Sequence, residues 1–305
     1  MKNIYAIVVT YNRKILLKKC IEYLNSQTYN IKQILIINNN STDGTSELLK
    51  DLKKIENKIE IIELNENIGG SGGFYLGIKQ AIDNGADWVW IMDDDAIPES
   101  QALEKLIRHA SDDLNIYGSI AIDNSQKVAW RLEKISTNNK KDEIKDIINS
   151  PETLEVAFLP FLGMLISRRL VQSIGLPDAE FFLAADDVDF CLRTRAAGGK
   201  IIAVTKSHVH HPAAEVYPLQ LPWRKLWLLR LPPWKRYYDT RNRILVAYNH
   251  FGLALYYQTL PSLFLRLIGS LIHEDHRLDQ TKAFFAGVVD GLRGKKGRRH
   301  ELWGL

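Results

Sequence analysis

Cysteine is nearly absent. Cys20 and Cys191 are the two in 305 residues and neither has a CxxC partner, so a disulfide scaffold is excluded. Long hydrophobic runs are lacking too. The best of them, residues 262–272 (SLFLRLIGSLI), is too short for a membrane span and carries Arg266, so it reads as an amphipathic helix or a partner interface. The opening MKNIYAIVVTYNRK has only a short apolar stretch before Tyr11 and Asn12 and no small-residue cleavage site. It reads as a buried strand rather than a signal peptide, and reduced cytoplasm is the expected compartment. No internal repeat or low-complexity tract stands out, and 46% hydrophobic residues exclude disorder as the dominant state.

A large charge excess is also missing, but the net +4 hides an asymmetry. Residues 218–305 hold 15 Lys and Arg against 6 Asp and Glu, a net +9, which leaves the first 217 residues at −5. A basic tail seeks an anionic partner: nucleic acid, an anionic membrane surface or a phosphorylated acceptor. Within it Trp223, Trp227 and Trp234 interleave with Arg224, Lys225, Arg230, Lys235 and Arg236, a texture that suits the lipid headgroup zone. The plain structural reading is a tryptophan-rich core edge whose cations point to water. Nucleic acid is disfavoured, because no recognised module is visible and the cations alternate with large apolar residues.

Residues 4–10, 33–37, 59–64 and 87–92 are short apolar runs, each followed by polar or glycine-rich residues. Segments of helical spacing separate them, such as Leu17, Cys20, Ile21 and Leu24. The pattern βαβαβαβ predicts an α/β fold with a parallel sheet covered on both faces, whose ligands bind beyond the carboxyl ends of the strands. The charged stretch 138–146 reads as an exposed loop or insertion.

Four constellations follow. Asp93-Asp94-Asp95 comes directly after the apolar run WVWIM. Adjacent carboxylates repel, and a divalent cation such as Mn2+ or Mg2+ relieves them, alternate residues turning Asp93 and Asp95 toward one ion; the plain reading is an acidic turn before a helix. The loop from Asn67 through Gly69, Gly70, Gly72 and Gly73 allows close backbone approach to an anion or sugar, without the spacing of a P-loop or a dinucleotide fingerprint. Asp186-Asp187 precedes an amphipathic segment, either as a helix cap or as a general base with an acidic neighbour. His208, His210 and His211 cluster at the end of a strand pattern, where His208 and His210 share one face and His211 the other.

Val9-Thr10-Tyr11-Asn12-Arg13, then Asn38 through Thr45, the aspartate triplet and Asp186-Asp187 together resemble, over residues 1–212, an inverting family 2 glycosyltransferase of GT-A fold. The loop 67–74, Met92 through Asp95 and Tyr237 through Asn242 most resemble bacterial galactofuranosyltransferases, with rhamnosyltransferases next. The resemblance implies a Rossmann-like, mostly parallel sheet flanked by helices, with a donor half at about 1–98, an acceptor half at about 99–212 and a helical basic, aromatic region over 213–305. It implies that Thr10, Asn12, Arg13, Asn40, Asp43 and Asp94 line the nucleotide pocket and that Asn67 and the four glycines lie beside the donor sugar. Asp93, Asp95 and His211 would hold Mn2+ or Mg2+, with His210 the second choice. Asp187 would be the base and Asp186 its neighbour at the acceptor. The implied partners are a nucleotide sugar, UDP-galactofuranose or dTDP-rhamnose, and a glycan or lipid-linked acceptor at the inner face of the bacterial cytoplasmic membrane. A non-catalytic nucleotide-sugar or polyanion binder is the reading from another class.

Overall fold

In the computed structural model, which describes residues 2–130, 132–135, 141–143, 149–222 and 224–305, the first apolar run forms β1 (Ile4–Thr10), buried at every position. The next elements alternate as the spacing predicts: α1 (Lys14–Asn25), β2 (Gln33–Asn38), α2 (Thr45–Ile55), β3 (Ile59–Glu63), α3 (Gly69–Asp83) and β4 (Trp88–Asp93). The two faces of β1 explain why it has no polar side. Ile4, Ala6 and Val8 pack with Leu17, Cys20, Ile21 and Leu24 of α1, while Tyr5, Ile7 and Val9 pack with Phe74, Ile78 and Ala81 of α3. A strand covered on both sides reads as a continuous apolar run.

Beyond β4 come β5 (Ile97–Pro98), α4 (Ala102–His109), β6 (Ile116–Ile122), β7 (Glu133–Ile135), β8 (Lys141–Glu143), β9 (Thr153–Glu155), β10 (Leu162–Ser167), α5 (Arg168–Ile174), α6 (Asp186–Ala196) and β11 (Ile201–His210). The main sheet runs β3-β2-β1-β4-β10-β6-β11-β5, with β9 on β11. Its first four strands are parallel; β10 enters antiparallel between β4 and β6, and β11 returns parallel to β6. The fold is GT-A-like α/β, with the carboxyl ends of β1, β2 and β4 along one edge of the parallel half. β7 and β8 pair antiparallel. β8 falls inside the charged stretch 138–146 expected as a loop, whose other residues lie outside the described ones.

Two compact units divide the chain: Met1–Asp178 with Asp187–Ala213, and Ala179–Asp186 with Ala214–Leu305. The second is not wholly helical. It opens with a hairpin, β12 (Val216–Leu221) and β13 (Arg224–Leu229), before α7 (Pro233–Phe251), α8 (Leu260–His273) and α9 (Arg277–Leu292). Burial along β12 alternates, Tyr217 and Leu219 packing with Leu228 of β13 while Val216 is exposed, which is strand spacing. Trp227 is exposed with the Lys225 ammonium 4.4 Å over its ring, Trp234 packs in a cluster with Phe182, Tyr237 and Tyr238, and Trp223 lies outside the described residues. α7 and α9 approach through small residues: a Cβ on Gly287 would lie 2.7 Å from the Tyr237 carbonyl oxygen.

Candidate active site

The site starts at the end of β1. Thr10 is buried, and its hydroxyl donates to Asp94 Oδ2 at 2.6 Å. Three residues on, Arg13 Nη1 reaches Asp94 Oδ1 at 3.2 Å and Asp95 Oδ2 at 2.5 Å. The parallel register sets Val9 beside Asp93, which brings these groups from two strands to one point. Burial pushes the Asp94 carboxyl up to about 6, against the pull of the Thr10 hydroxyl and the Arg13 guanidinium. Burial acts the same way on Asp95, but His211 and Arg13 outweigh it and hold that carboxyl below the ordinary range. Two adjacent aspartates thus have opposite tendencies.

His211 closes the group from the end of β11, its backbone N–H donating to the Ile122 carbonyl at 2.9 Å. Its Nδ1 lies 2.7 Å from the Pro212 carbonyl and 3.4 Å from Trp130 Nε1. Its Nε2 lies 3.2 Å from Asp95 Oδ1, an ion pair when the ring is protonated and a lone pair facing the carboxylate when Nδ1 alone carries the proton. That oxygen is buried and accepts no hydrogen bond among the described residues. A buried carboxylate oxygen without a hydrogen bond, beside an imidazole nitrogen that can present a lone pair, is a donor set that fits a divalent metal. Among the described residues no three His, Cys, Asp or Glu side chains converge as a metal cluster. His208 and His210 lie elsewhere, with His208 Nδ1 3.2 Å and His210 Nε2 3.8 Å from Glu99 Oε1.

A second group joins the loops after β1 and β2. Asn12, at φ +53°, accepts from the Thr42 N–H at 2.7 Å through Oδ1, and its own N–H donates to Ser41 Oγ. Asn40 is left-handed as well and exposed. Asp43 accepts from the Lys14 N–H at 2.9 Å and the Thr45 hydroxyl at 2.5 Å; these bonds outweigh partial burial and hold its carboxyl below the usual range. It starts one helix and ties down another.

The glycine segment, expected as a loop, instead forms the first turns of α3 from Gly69 onward, and its members differ in what they face. Asn67 Oδ1 accepts from the Gly69 N–H at 2.8 Å, and Gly69 sits at φ +78°. A Cβ on Gly73 would lie 2.6 Å from Val9 Cγ1 and one on Gly72 2.8 Å from Ile68 Cγ1, whereas one on Gly70 meets nothing within 4 Å. Gly72 and Gly73 therefore answer to packing within the fold, and Gly70 alone of these three borders open space.

Asp186 and Asp187 begin α6, where Asp187 Oδ1 accepts from the Val188 N–H at 2.8 Å. The two fall in different compact units. The loop before them is strained, with Phe182, Ala184 and Ala185 at φ of +64°, +70° and +64°. Residues that the sequence reading missed hold it. Buried Asn242 Nδ2 lies 3.0, 2.7 and 2.9 Å from the carbonyls of Phe181, Leu183 and Ala184, and Arg241 Nη2 donates to Phe181 at 2.8 Å. Sixty residues separate donor from acceptor, so only the motif Tyr237 through Asn242 hinted at it. Trp130 beside His211 had no signal at all.

Residues 5–175 match the sequence profile described as Glycosyl transferase family 2. The chain belongs to that family. It is 22% identical over 304 residues to the dTDP-rhamnosyl transferase RfbF of Shigella flexneri, covering 97% of each chain, and 25% identical over 248 residues to the galactofuranosyltransferase GlfT1 of Mycobacterium tuberculosis, covering 79% of this chain and 81% of that one. Among solved structures, GalNAc-T7 with UDP, GalNAc and Mn2+ superposes with a TM-score of 0.63 at 11% identity, over 96% of this chain and 57% of that one. As a family 2 glycosyltransferase, the protein moves a sugar from a nucleotide-sugar donor.

Proposed function

We propose that this family 2 enzyme transfers galactofuranose from UDP-galactofuranose to a hydroxyl of a growing cell-surface polysaccharide or lipid-linked glycan, with inversion at the anomeric carbon. The carrying observation is the convergence of Thr10, Arg13, Asp94, Asp95 and His211 at one point beyond the strand ends. A guanidinium that is nearly half exposed beside buried carboxylates suits a nucleoside diphosphate. Asn12, Asn40 and Asp43 lie on the nucleoside side of this reading, with Gly70 and Asn67 toward the sugar.

Asp187 accepts the proton of the acceptor hydroxyl as that oxygen bonds to the anomeric carbon; the bond to the diphosphate breaks and UDP leaves with the electron pair. Asp186 positions the acceptor. Asp95 and His211, with Asp93, would hold Mn2+ or Mg2+, which supplies positive charge to the diphosphate when bound. The acceptor's lipid diphosphate places the reaction at the inner face of the cytoplasmic membrane.

Rhamnose from dTDP-rhamnose is the second reading, favoured by the similarity to RfbF along 97% of the chain. Turnover measured as free nucleotide diphosphate, with both donors and one lipid-linked acceptor, decides. UDP release from UDP-galactofuranose supports the first reading, and dTDP release alone replaces it with the second. No release from any panel of nucleotide sugars would favour a non-catalytic binder.

A further inference from the structure

Between Arg243 and Glu274 thirty residues pass with Arg266 as the single Asp, Glu, Lys or Arg. Only part of this stretch is core. Phe251, Tyr256, Tyr257, Phe264, Ile268 and Ile272 are each more than a third exposed. On α8 the last three recur every four residues as one outward stripe, while Leu263 and Leu267 pack inward against Ile244 and Phe284. α9 has a stripe of its own: Leu278, Phe285 and Leu292, seven apart and each at least half exposed. The stripes adjoin, because Phe264 meets Phe284 edge-on at 6.1 Å and Phe284 meets Phe285 at 5.3 Å.

Charge accompanies the apolar face. Where α9 ends, Arg293, Lys295, Lys296, Arg298 and Arg299 place five cations in seven residues next to exposed Leu292, of which Arg298 pairs with Glu301 and Arg299 with Asp290. The acidic Asp275 and Asp279 flank the opposite end of α9. No described helix is long and apolar enough to cross a membrane, and α8 has 14 residues, so this surface can lie in an interface but not span one. We propose that the α8–α9 face, with the π-helical turn Leu255–Thr259 before it, inserts its aromatic and aliphatic side chains into the headgroup boundary of an anionic bilayer, with Arg293 and Lys295 beside it pairing with lipid phosphates.

The inference extends the membrane-held acceptor of the proposed function, and its test needs no turnover. The full chain is co-sedimented with vesicles of equal parts phosphatidylglycerol and phosphatidylcholine, without donor or acceptor. The expected result is binding that weakens with salt and that falls about a hundredfold in Phe264→Gln/Ile268→Gln/Phe285→Gln. Arg293→Gln/Lys295→Gln lowers it about thirtyfold. Ile55→Gln, at an exposed aliphatic residue of the first unit, leaves it unchanged. Should the triple variant lose its folded circular dichroism, Phe285→Gln alone is read, with about a tenfold loss expected. Wild-type partitioning by the folded variant overturns the proposal. So does a dimer seen by light scattering that the same substitutions dissociate, which would assign the face to copies of this chain. Vesicle binding without sugar transfer would leave this inference standing and sink the proposed function; the reverse result would do the opposite.

Discussion

Asp94 and Asp95 are chemical twins set apart by what touches them: a buried threonine hydroxyl on one, an imidazole on the other, and between them Arg13 Nη1, which lies closer to Asp95. Removing the proposed base is the sharpest test at this scale. Asp187→Asn is expected to lower kcat by about 10²–10⁴ with donor affinity kept, read by single-turnover kinetics beside calorimetry; wild-type turnover would take Asp187 out of that role. The glycines offer a paired test. Gly73→Ala forces a methyl into Val9 and should cost about 1–3 kcal/mol in a denaturant melt. Gly70→Ala should change stability by under about 0.5 kcal/mol and raise donor KM, because its neighbourhood is open. The triplet was legible because acidic residues directly after a buried strand have few structural uses. Gly73 was not, since a glycine at a strand-to-helix turn does not say whether its missing side chain makes way for a ligand or for a neighbouring strand.

Elements carry the strain that single residues display. Three left-handed non-glycine residues precede α6, and Asn242 on α7 meets the carbonyls that this turn exposes. Asn242→Ala should therefore destabilise by about 1–3 kcal/mol and reduce kcat while donor KM stays put, because the loop enters the helix that bears Asp187; an altered donor KM with kcat unchanged would contradict this. Asp290 on α9 collects Tyr237 Oη at 2.7 Å, Trp303 Nε1 at 2.9 Å and Arg299 Nε at 3.0 Å. Burial raises its carboxyl, but these donors win and hold it below the unfolded value of 3.8. Its stabilisation is then complete above pH 3.8 and lost as pH falls through the lower folded value. In Asp290→Asn, thermal melts should lose that part of the acid dependence. The parallel βαβ succession was readable from periodicity alone, whereas antiparallel β10 was not, since strand direction leaves no mark on a short apolar run. The β12–β13 hairpin was misjudged because RKLWLL in β13 groups its cations and its apolar residues instead of alternating them, so no period of two marked it as a strand.

For the whole molecule, the near-neutral total conceals an acidic first part, which contains the carboxylates of the site, and a basic second part. Hydrogen exchange should separate them in stability. Amides of β1 and β4, in strands that are almost wholly buried and paired on both edges, are expected to exchange slowest, and those of the two-stranded β12–β13 hairpin much faster; equal protection would argue against that ordering. The scarcity of cysteine has a practical side. Cys20 and Cys191 are both sealed in the core, and burial raises both thiols, that of Cys191 to about 12. Neither presents a thiolate to a maleimide in the folded state. A cysteine introduced at Ile268 would thus take a fluorophore or spin label selectively in an otherwise natural chain, and the polarity its label senses would report directly where α8 rests.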